Sequence, residues 1–342
     1  MGLIFDFFPT EQIKLVLSCH FSGENLTFVG DCGSIRIIFQ CSFPETMGKS
    51  EAGREVSVRM SHSFVITHYY HSGFSVAEND TLVVFDYWRG EEGELKPDFQ
   101  LTPEKLSGFR RVLVLISHEH PDHLDPVVFS WKDVTDVTYI VSSDMPVGTR
   151  GKRMAPGDSL TIDDHISVSA FDSTDLGVSF LVNWDGFRFF HAGDLNFWHW
   201  REEASMKDIE EAEIEFRNAV KPLTREEIDV AFFPLDPRQG SMFEAGANYF
   251  ILSVKPRLFI PMHYFHRADV AIDYARTAGN RSTEVLAMPG YGDRISLQTD
   301  EKGYMNISFT SQEADQPEKP EEAPMDPFDE SDLPVNQLKK RF

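Results

Sequence analysis

Four metal-ligand side chains, His118, His120, Asp122 and His123, fall within six residues of the run Ser117-His118-Glu119-His120-Pro121-Asp122-His123-Leu124-Asp125. The apolar stretch from Arg111 to Ile116 precedes them directly and has the length and β-branched content of a buried strand. The loop therefore opens at a strand's C-terminal end. His118 and His120 turn one way, while Asp122 and His123 lie past the bend at Pro121, which lets the loop reach two ions. Imidazole and carboxylate suit zinc, iron or manganese, and the absence of a thiolate nearby points away from a closed structural zinc site. Open coordination implies bound water, and hence hydrolysis. A merely solvated His/Asp turn would not call for the spacing H-x-H-x-D-H behind a buried strand.

That element resembles the metal-binding motif of the metallo-β-lactamase superfamily. The resemblance spans roughly residues 62–310 and implies an α/β fold, a four-layered αββα sandwich with the metal site at one edge. It also implies roles. Asp194, in His191-Ala192-Gly193-Asp194, would bridge both metals. His263, after Arg257-Leu258-Phe259-Ile260, would close the second site beside Asp122 and His123. Asp122 would also orient the attacking water and so act catalytically. Asp86 ends a strand as an acid after four apolar residues, a charge that needs a partner, and the resemblance gives it the task of bracing the metal loop. His71, in Tyr70-His71-Ser72-Gly73-Phe74, is similar to a His-Ser element of lactonase-like members and is placed behind the ligands or against substrate. A histidine satisfied by local hydrogen bonds is its competing reading.

One element departs from the pattern. Members of this superfamily usually place a histidine between the metal loop and the Gly-Asp element, completing the first site. Here that place holds Asp172-Ser173-Thr174-Asp175. Alignment from the preceding strand selects Asp172, and alignment from the following Gly177 and Phe180 selects Ser173 to Asp175. A carboxylate there would favour manganese or iron relative to zinc, or the first site would be weak or empty. His191 reads as packing or support rather than a ligand. Arg238 could meet an anionic substrate group, since a guanidinium suits carboxylate or phosphate. His266 is a proton donor, a substrate contact or a helix-start histidine. Asn196-Phe197-Trp198-His199-Trp200, beside the bridging aspartate, is a pocket wall or core.

These residues need strands to deliver them. Phe64 to Val76 and Thr81 to Asp86 read as hairpin strands around Glu78-Asn79-Asp80, and Val178 to Asn183 and Phe187 to Phe190 as a hairpin over Trp184-Asp185-Gly186. Ile228 to Pro234 and Arg257 to Tyr264 read as further buried strands, so the second half mirrors the first. Trp200 to Ala219 reads as a charged amphipathic helix, and Ser241 to Ser253 as a helix capped by a Ser241/Glu244 box. Residues 61–311 form the expected metallo-hydrolase domain. Residues 1–60 form an extension of uncertain structure, with short strands at Ile13 to Leu17 and Ile35 to Phe39. Translation starting at Met60 would remove that extension. Residues 312–342 are Pro- and acid-rich and read as a disordered tail.

Composition narrows the partners. The chain has 342 residues, 41% of them hydrophobic, enough for one large core. No apolar run approaches the ~18 residues that cross a bilayer, and no export signal is recognisable, so a cytoplasmic, membrane-free protein is expected. All three cysteines, Cys19, Cys32 and Cys41, lie in the extension, which fits a reducing compartment. A formal net charge of −23 weighs against nucleic acid as a partner. The sequence thus points to a hydrolase using one or two divalent ions, zinc first and manganese or iron as alternatives. Its substrate would be a small anionic ester, lactone or phosphodiester. The alternatives are an RNA-processing nuclease and a degenerate metal-binding protein without turnover; oligomeric state is not legible.

Overall fold

The computed structural model describes residues 16–22, 25–32, 35–42, 61–91 and 93–311. The proposed start at Met60 and the expected tail at 312–342 lie outside the described residues. The chain divides into two compact units, Met1–Ser57 and Val58–Phe342. In the first, β1 (Val16–Ser22), β2 (Asn25–Cys32) and β3 (Ile35–Ser42) form an antiparallel sheet. The sequence suggested two strands there. The middle one was hidden because Gly30 and Asp31 dilute its β-forming pattern.

The second unit is built on two mixed sheets. One contains β4 (Ser63–His68), β5 (Phe74–Glu78), β6 (Thr81–Phe85), β7 (Arg111–Ile116), β8 (Asp136–Ser142) and β9 (Lys152–Met154), with β17 (Arg294–Thr299) and β18 (Met305–Thr310) on the β4 side. The other runs β10 (Ser159–Thr161), β11 (Ile166–Phe171), β12 (Ser179–Trp184), β13 (Phe187–His191), β14 (Val230–Pro234), β15 (Leu258–Met262) and β16 (Glu284–Val285). Each sheet begins as an antiparallel meander and continues in parallel: β6, β7 and β8 in one, β13, β14 and β15 in the other. The mirrored halves expected from the sequence are present. Strand burial follows position. The parallel β7 is buried along nearly its whole length, whereas β17, near the sheet's edge, alternates buried and exposed residues.

The inner faces of the sheets meet in one apolar core that includes Phe64, Phe74, Phe85, Leu115, Phe180 and Phe189. Phe64 sits edge-on to Phe189 at 5.0 Å and to Trp184 at 5.3 Å. Such pairs add about 0.5–1.5 kcal/mol each beyond burial. Helices α2 (Met206–Val220), α3 (Ala245–Val254) and α4 (Ala268–Ala278) cover the second sheet, contributing Phe216, Phe250 and Tyr274 to the core. The outer face of the first sheet, including Val84, Val114 and Val141, is covered by the single-turn α1 (Pro103–Leu106) and by the 3-10 segment Pro126–Asp133 carrying Val128 and Trp131. The αββα order holds, with its first helical layer reduced to short turns. Among the described residues no helix is long and apolar enough to cross a membrane.

Two helix boundaries differ from expectation. The helix anticipated from Trp200 begins only at Met206, because Ser205 and Asp208 form a reciprocal capping box there. Trp200 itself adopts φ +37°, outside helical geometry. Ser241 does not cap α3; its amide and hydroxyl both donate to Glu202 Oε1, at 2.9 and 2.6 Å. Ser205→Ala should therefore lower stability by about 1 kcal/mol, while Ser241→Ala changes it by less than about 0.5 kcal/mol. Urea unfolding of the two variants measures the difference.

Candidate metal centre

Strands β4, β6, β7, β11, β13, β14 and β15 run the same way within their sheets, so their C-terminal ends lie along one edge. The loops leaving them carry, in order, His71, Asp86, His118 to His123, Asp172 to Asp175, Asp194, Asp236 and His263. The topology thus gathers at one place what the chain spreads over some two hundred residues.

Asp86 fixes the metal loop. The Ser117 amide donates to its Oδ1 at 2.8 Å, and the Ser117 hydroxyl donates to its Oδ2 at 2.6 Å. His123 Nδ1 lies 2.8 Å from the same Oδ2. A carboxylate only accepts, so His123 carries its proton on Nδ1 and presents a bare Nε2. Ser117 has spent its one proton on Asp86, so its oxygen accepts from His118 Nδ1 at 2.9 Å, which bares His118 Nε2 as well. His263 repeats the pattern, with Nδ1 3.0 Å from Asp236 Oδ2. Asp236 escaped the sequence reading, although it follows the buried β14 just as Asp86 follows β6. An acid after an apolar run was the available signal.

Three Nε2 lone pairs therefore face the buried Asp194. Its Oδ2 is 3.3 Å from His118 Nε2 and 3.9 Å from His120 Nδ1, and its Oδ1 is 2.9 Å from His123 Nε2 and 3.2 Å from His263 Nε2. Lone pairs against a carboxylate repel unless a cation sits among them. In its absence protons take that part. Burial alone would push the Asp194 carboxyl up, but the charges of His123 and His263 hold it well below the usual carboxylate range. Burial would likewise lower His263, yet Asp194 and Asp236 raise it to about 9.

Two donor groups result, His71, Asp122, His123 and His263 in one and His118, His120 and Asp194 in the other, each with donor atoms within 4.8 Å of one another. The fit to a divalent ion shows in the polar atoms left over. Nε2 of His123 and His263, Oδ1 of Asp194 and both ring nitrogens of His71 are buried without a hydrogen bond. Such atoms cost free energy unless something else satisfies them, and imidazole with carboxylate is a donor set for zinc, manganese or iron. His71, which the sequence places behind the ligands or against substrate, falls within one of these groups.

The two candidates at the third element differ in position. Asp175 Oδ2 lies 4.0 Å from His120 Nδ1 and lines the cavity above the centre, but it stays outside the three-residue donor group. Asp172 is not among the lining residues; its carboxylate accepts the Ser173 amide at 3.1 Å. The loop passes against the metal loop at Gly177 (φ +79°), where a Cβ would stand 1.9 Å from the Ser117 carbonyl oxygen, and the Val178 amide donates to that oxygen at 3.1 Å.

The cavity measures about 370 Å³ and is lined by His120, Asp122, Asp175, Asp194, Trp198, Trp200, Arg238 and His263, together with Thr174. Trp198 packs edge-on against His263 at 5.6 Å and stacks with Trp200 at 6.0 Å, so these two do form a wall. Arg238 bonds Asp236 and lies over Phe265 at 4.4 Å, its guanidinium half exposed. His266 is exposed and lines a separate cavity with Arg267, away from the donors. His191 is no ligand in this arrangement. Its Nε2 meets the Ser72 carbonyl at 2.8 Å, its Nδ1 accepts the Gly193 amide, and its ring stacks on Phe85.

No protein-family model matches the chain, and no curated protein matches it by sequence. Several solved structures are similar in fold. The metallo hydrolase Igni18 of the archaeon Ignicoccus hospitalis is 17% identical, with 68% of this chain and 98% of that one covered at a TM-score of 0.47. The diiron β-hydroxylase CmlA of Streptomyces venezuelae is 13% identical over 69% of this chain, which spans only 54% of CmlA, at a TM-score of 0.45. A Thermotoga maritima protein assigned as a Zn-dependent hydrolase of the metallo-β-lactamase superfamily is 18% identical over 59% of this chain and 76% of its own, at a TM-score of 0.32.

Asp86→Asn should weaken divalent-metal affinity by about 10- to 100-fold, because it loosens both the loop and the His123 ring; competition against a chromophoric chelator measures it. With His263 protonated below about 9 in the metal-free protein, a metal must displace that proton. Apparent affinity should therefore rise from pH 6.5 to about 9, with proton release visible as a buffer-dependent calorimetric heat.

Proposed function

We infer that the protein is a metal-dependent hydrolase of the metallo-β-lactamase superfamily, acting on a small anionic ester, lactone or phosphodiester. One observation carries this reading: two groups of imidazole and carboxylate donors meet across a single buried aspartate at the floor of a solvent-open cavity. His118, His120 and Asp194 would hold one ion, and Asp122, His123, His263 and the other oxygen of Asp194 a second. A divalent ion there supplies Lewis acidity and makes water a competent nucleophile near neutral pH.

The chain's own residues would do the rest. Asp122 is the one donor carboxylate besides Asp194 that also faces the cavity, so it can hold a water proton at its free oxygen and aim the attack. It is kept ionised: burial opposes this, but His71, His123 and His263 lower its pKa far more than burial raises it. The Trp198 and Trp200 faces give an apolar wall that excludes solvent from one side of the substrate. Arg238, held flat by Phe265 and anchored by Asp236, offers its outer edge to an oxyanion of the substrate. The alternative of nucleic acid as substrate is opposed by the −23 charge, which repels a phosphate backbone.

Metal content of the purified protein comes first, followed by a screen against bis-p-nitrophenyl phosphate, lactones and single-stranded RNA. Asp122→Asn and His263→Ala should reduce turnover to that of metal-stripped protein, and unchanged turnover in either would refute the assignment. Arg238→Ala should raise KM for an anionic substrate about tenfold while kcat changes less, since a half-exposed guanidinium gives about one charge-assisted hydrogen bond.

A further inference from the structure

We propose that His71 is a direct ligand of the inner ion, making the two metal sites unequal: an inner site closed by protein donors and an outer site left open to substrate. The proposal rests on the metal-dependent reading above. His71 leaves β4 on a left-handed residue, φ +55°, in the tight turn where the Gly73 amide donates to the Tyr70 carbonyl at 2.8 Å. Its ring is clamped between His263 at 4.0 Å and Phe265 at 3.9 Å, with Trp88 edge-on at 5.9 Å.

The other buried histidines show what a structural role looks like. His191 meets the Ser72 carbonyl at 2.8 Å, His68 the Gly290 carbonyl at 3.3 Å and His199 the Met242 carbonyl at 3.1 Å. His71 has no hydrogen bond at either ring nitrogen. Asp122 Oδ2 approaches its Nε2 to 3.4 Å, off the line a hydrogen bond needs. Donor atoms of His71, Asp122, His123 and His263 nonetheless lie within 4.8 Å of one another. A common ion accounts for that convergence and for one of the two unbonded ring nitrogens, the one that would carry the lone pair.

The asymmetry follows from burial. In the inner group His71, His123 and His263 are 0–2% exposed and Asp122 25%, whereas the outer group pairs the buried His118 with His120, 39% of whose side chain is in solvent. With His71, three imidazoles and Asp122, beside Asp194, would be available to the inner ion. Two imidazoles and Asp194 would be available to the outer ion, which would leave positions for water and substrate. The inner ion should therefore bind first and exchange slowly, and the outer one should be the exchangeable, substrate-facing ion.

X-ray absorption of wild-type protein loaded with one equivalent of cobalt(II) tests this. Each donor group offers two imidazoles besides His71, so a count of three at the first equivalent that falls to two when His71 is replaced assigns the third to His71. His71→Gln should remove one imidazole from that count and weaken the first equivalent at least tenfold, since a lost ligand should cost no less than a lost supporting partner. The second equivalent should bind with little change. Two imidazoles in the wild type, or a variant whose first equivalent binds unchanged, would overturn the assignment while leaving the hydrolase reading intact. Failure of the protein to bind cobalt at all would overturn both.

Discussion

A carboxylate buried among imidazoles is the constraint on which the rest depends. Asp194 has 6% of its side chain exposed and four histidine nitrogens within 4 Å. Isolated in an apolar interior, its charge would be costly by many kcal/mol. Surrounded by rings whose outer nitrogens are pinned by Asp86, Ser117 and Asp236, it becomes one half of a cation site. Remove the pins and the rings rotate; the lone pairs then lose their common target. The cluster is thus held by what stands behind the ligands as much as by the ligands themselves.

Holding it this way stores strain. Asp86, His71 and His263 all adopt positive φ, at 40°, 55° and 65°, a region that non-glycine residues rarely enter. Asn79 and Asp185 share that feature in hairpin turns, where such geometry is routine, and His71 too lies in the β4–β5 hairpin connection. The three at the metal centre lie just past strand ends, where the backbone must swing sharply to aim a side chain back over the sheet edge. The two sheets, with their large shared core, keep these residues in place, and the β-rich scaffold supplies the rigidity that loop residues lack.

Much of this was legible in the chain, for identifiable reasons. The spacing of His118, His120, Asp122 and His123 and the apolar runs that precede them express local rules, so the strands and the centre's main donors could be read directly. Asp236 was passed over because Arg238, two residues on, looked like the functional group, whereas the carboxylate orients His263 and the arginine anchors to it. The position of His71 could not be read, because membership in a donor cluster depends on where β15 sets His263, nearly two hundred residues away. The choice between Asp172 and Asp175 likewise turned on how Gly177 seats its loop against Ser117. The helix starts at Ser205 and Ala245 failed to match for a simpler reason: several Ser-x-x-acid sequences can cap, and neighbouring contacts, such as Glu202 with Ser241, select which one does.

The charge of the chain sets a problem that the site itself resolves. A net charge of −23 favours entry of divalent cations and disfavours approach of an anionic substrate. At physiological ionic strength, however, fields from exposed charges fade over about 8 Å, so what an anion meets at the cavity mouth is local. There it finds Arg238, fixed over Phe265 and bonded to Asp236, beside a centre that gains two positive charges with each ion bound. Sign selectivity is therefore conditional. Without metal the cavity presents Asp122, Asp175 and Asp194; an ion bound at the centre would offset the charge of the donor carboxylates Asp122 and Asp194, beside Arg238. On the proposed function, metal loading and anion affinity would be coupled through charge, because each ion bound changes the field that an anion meets.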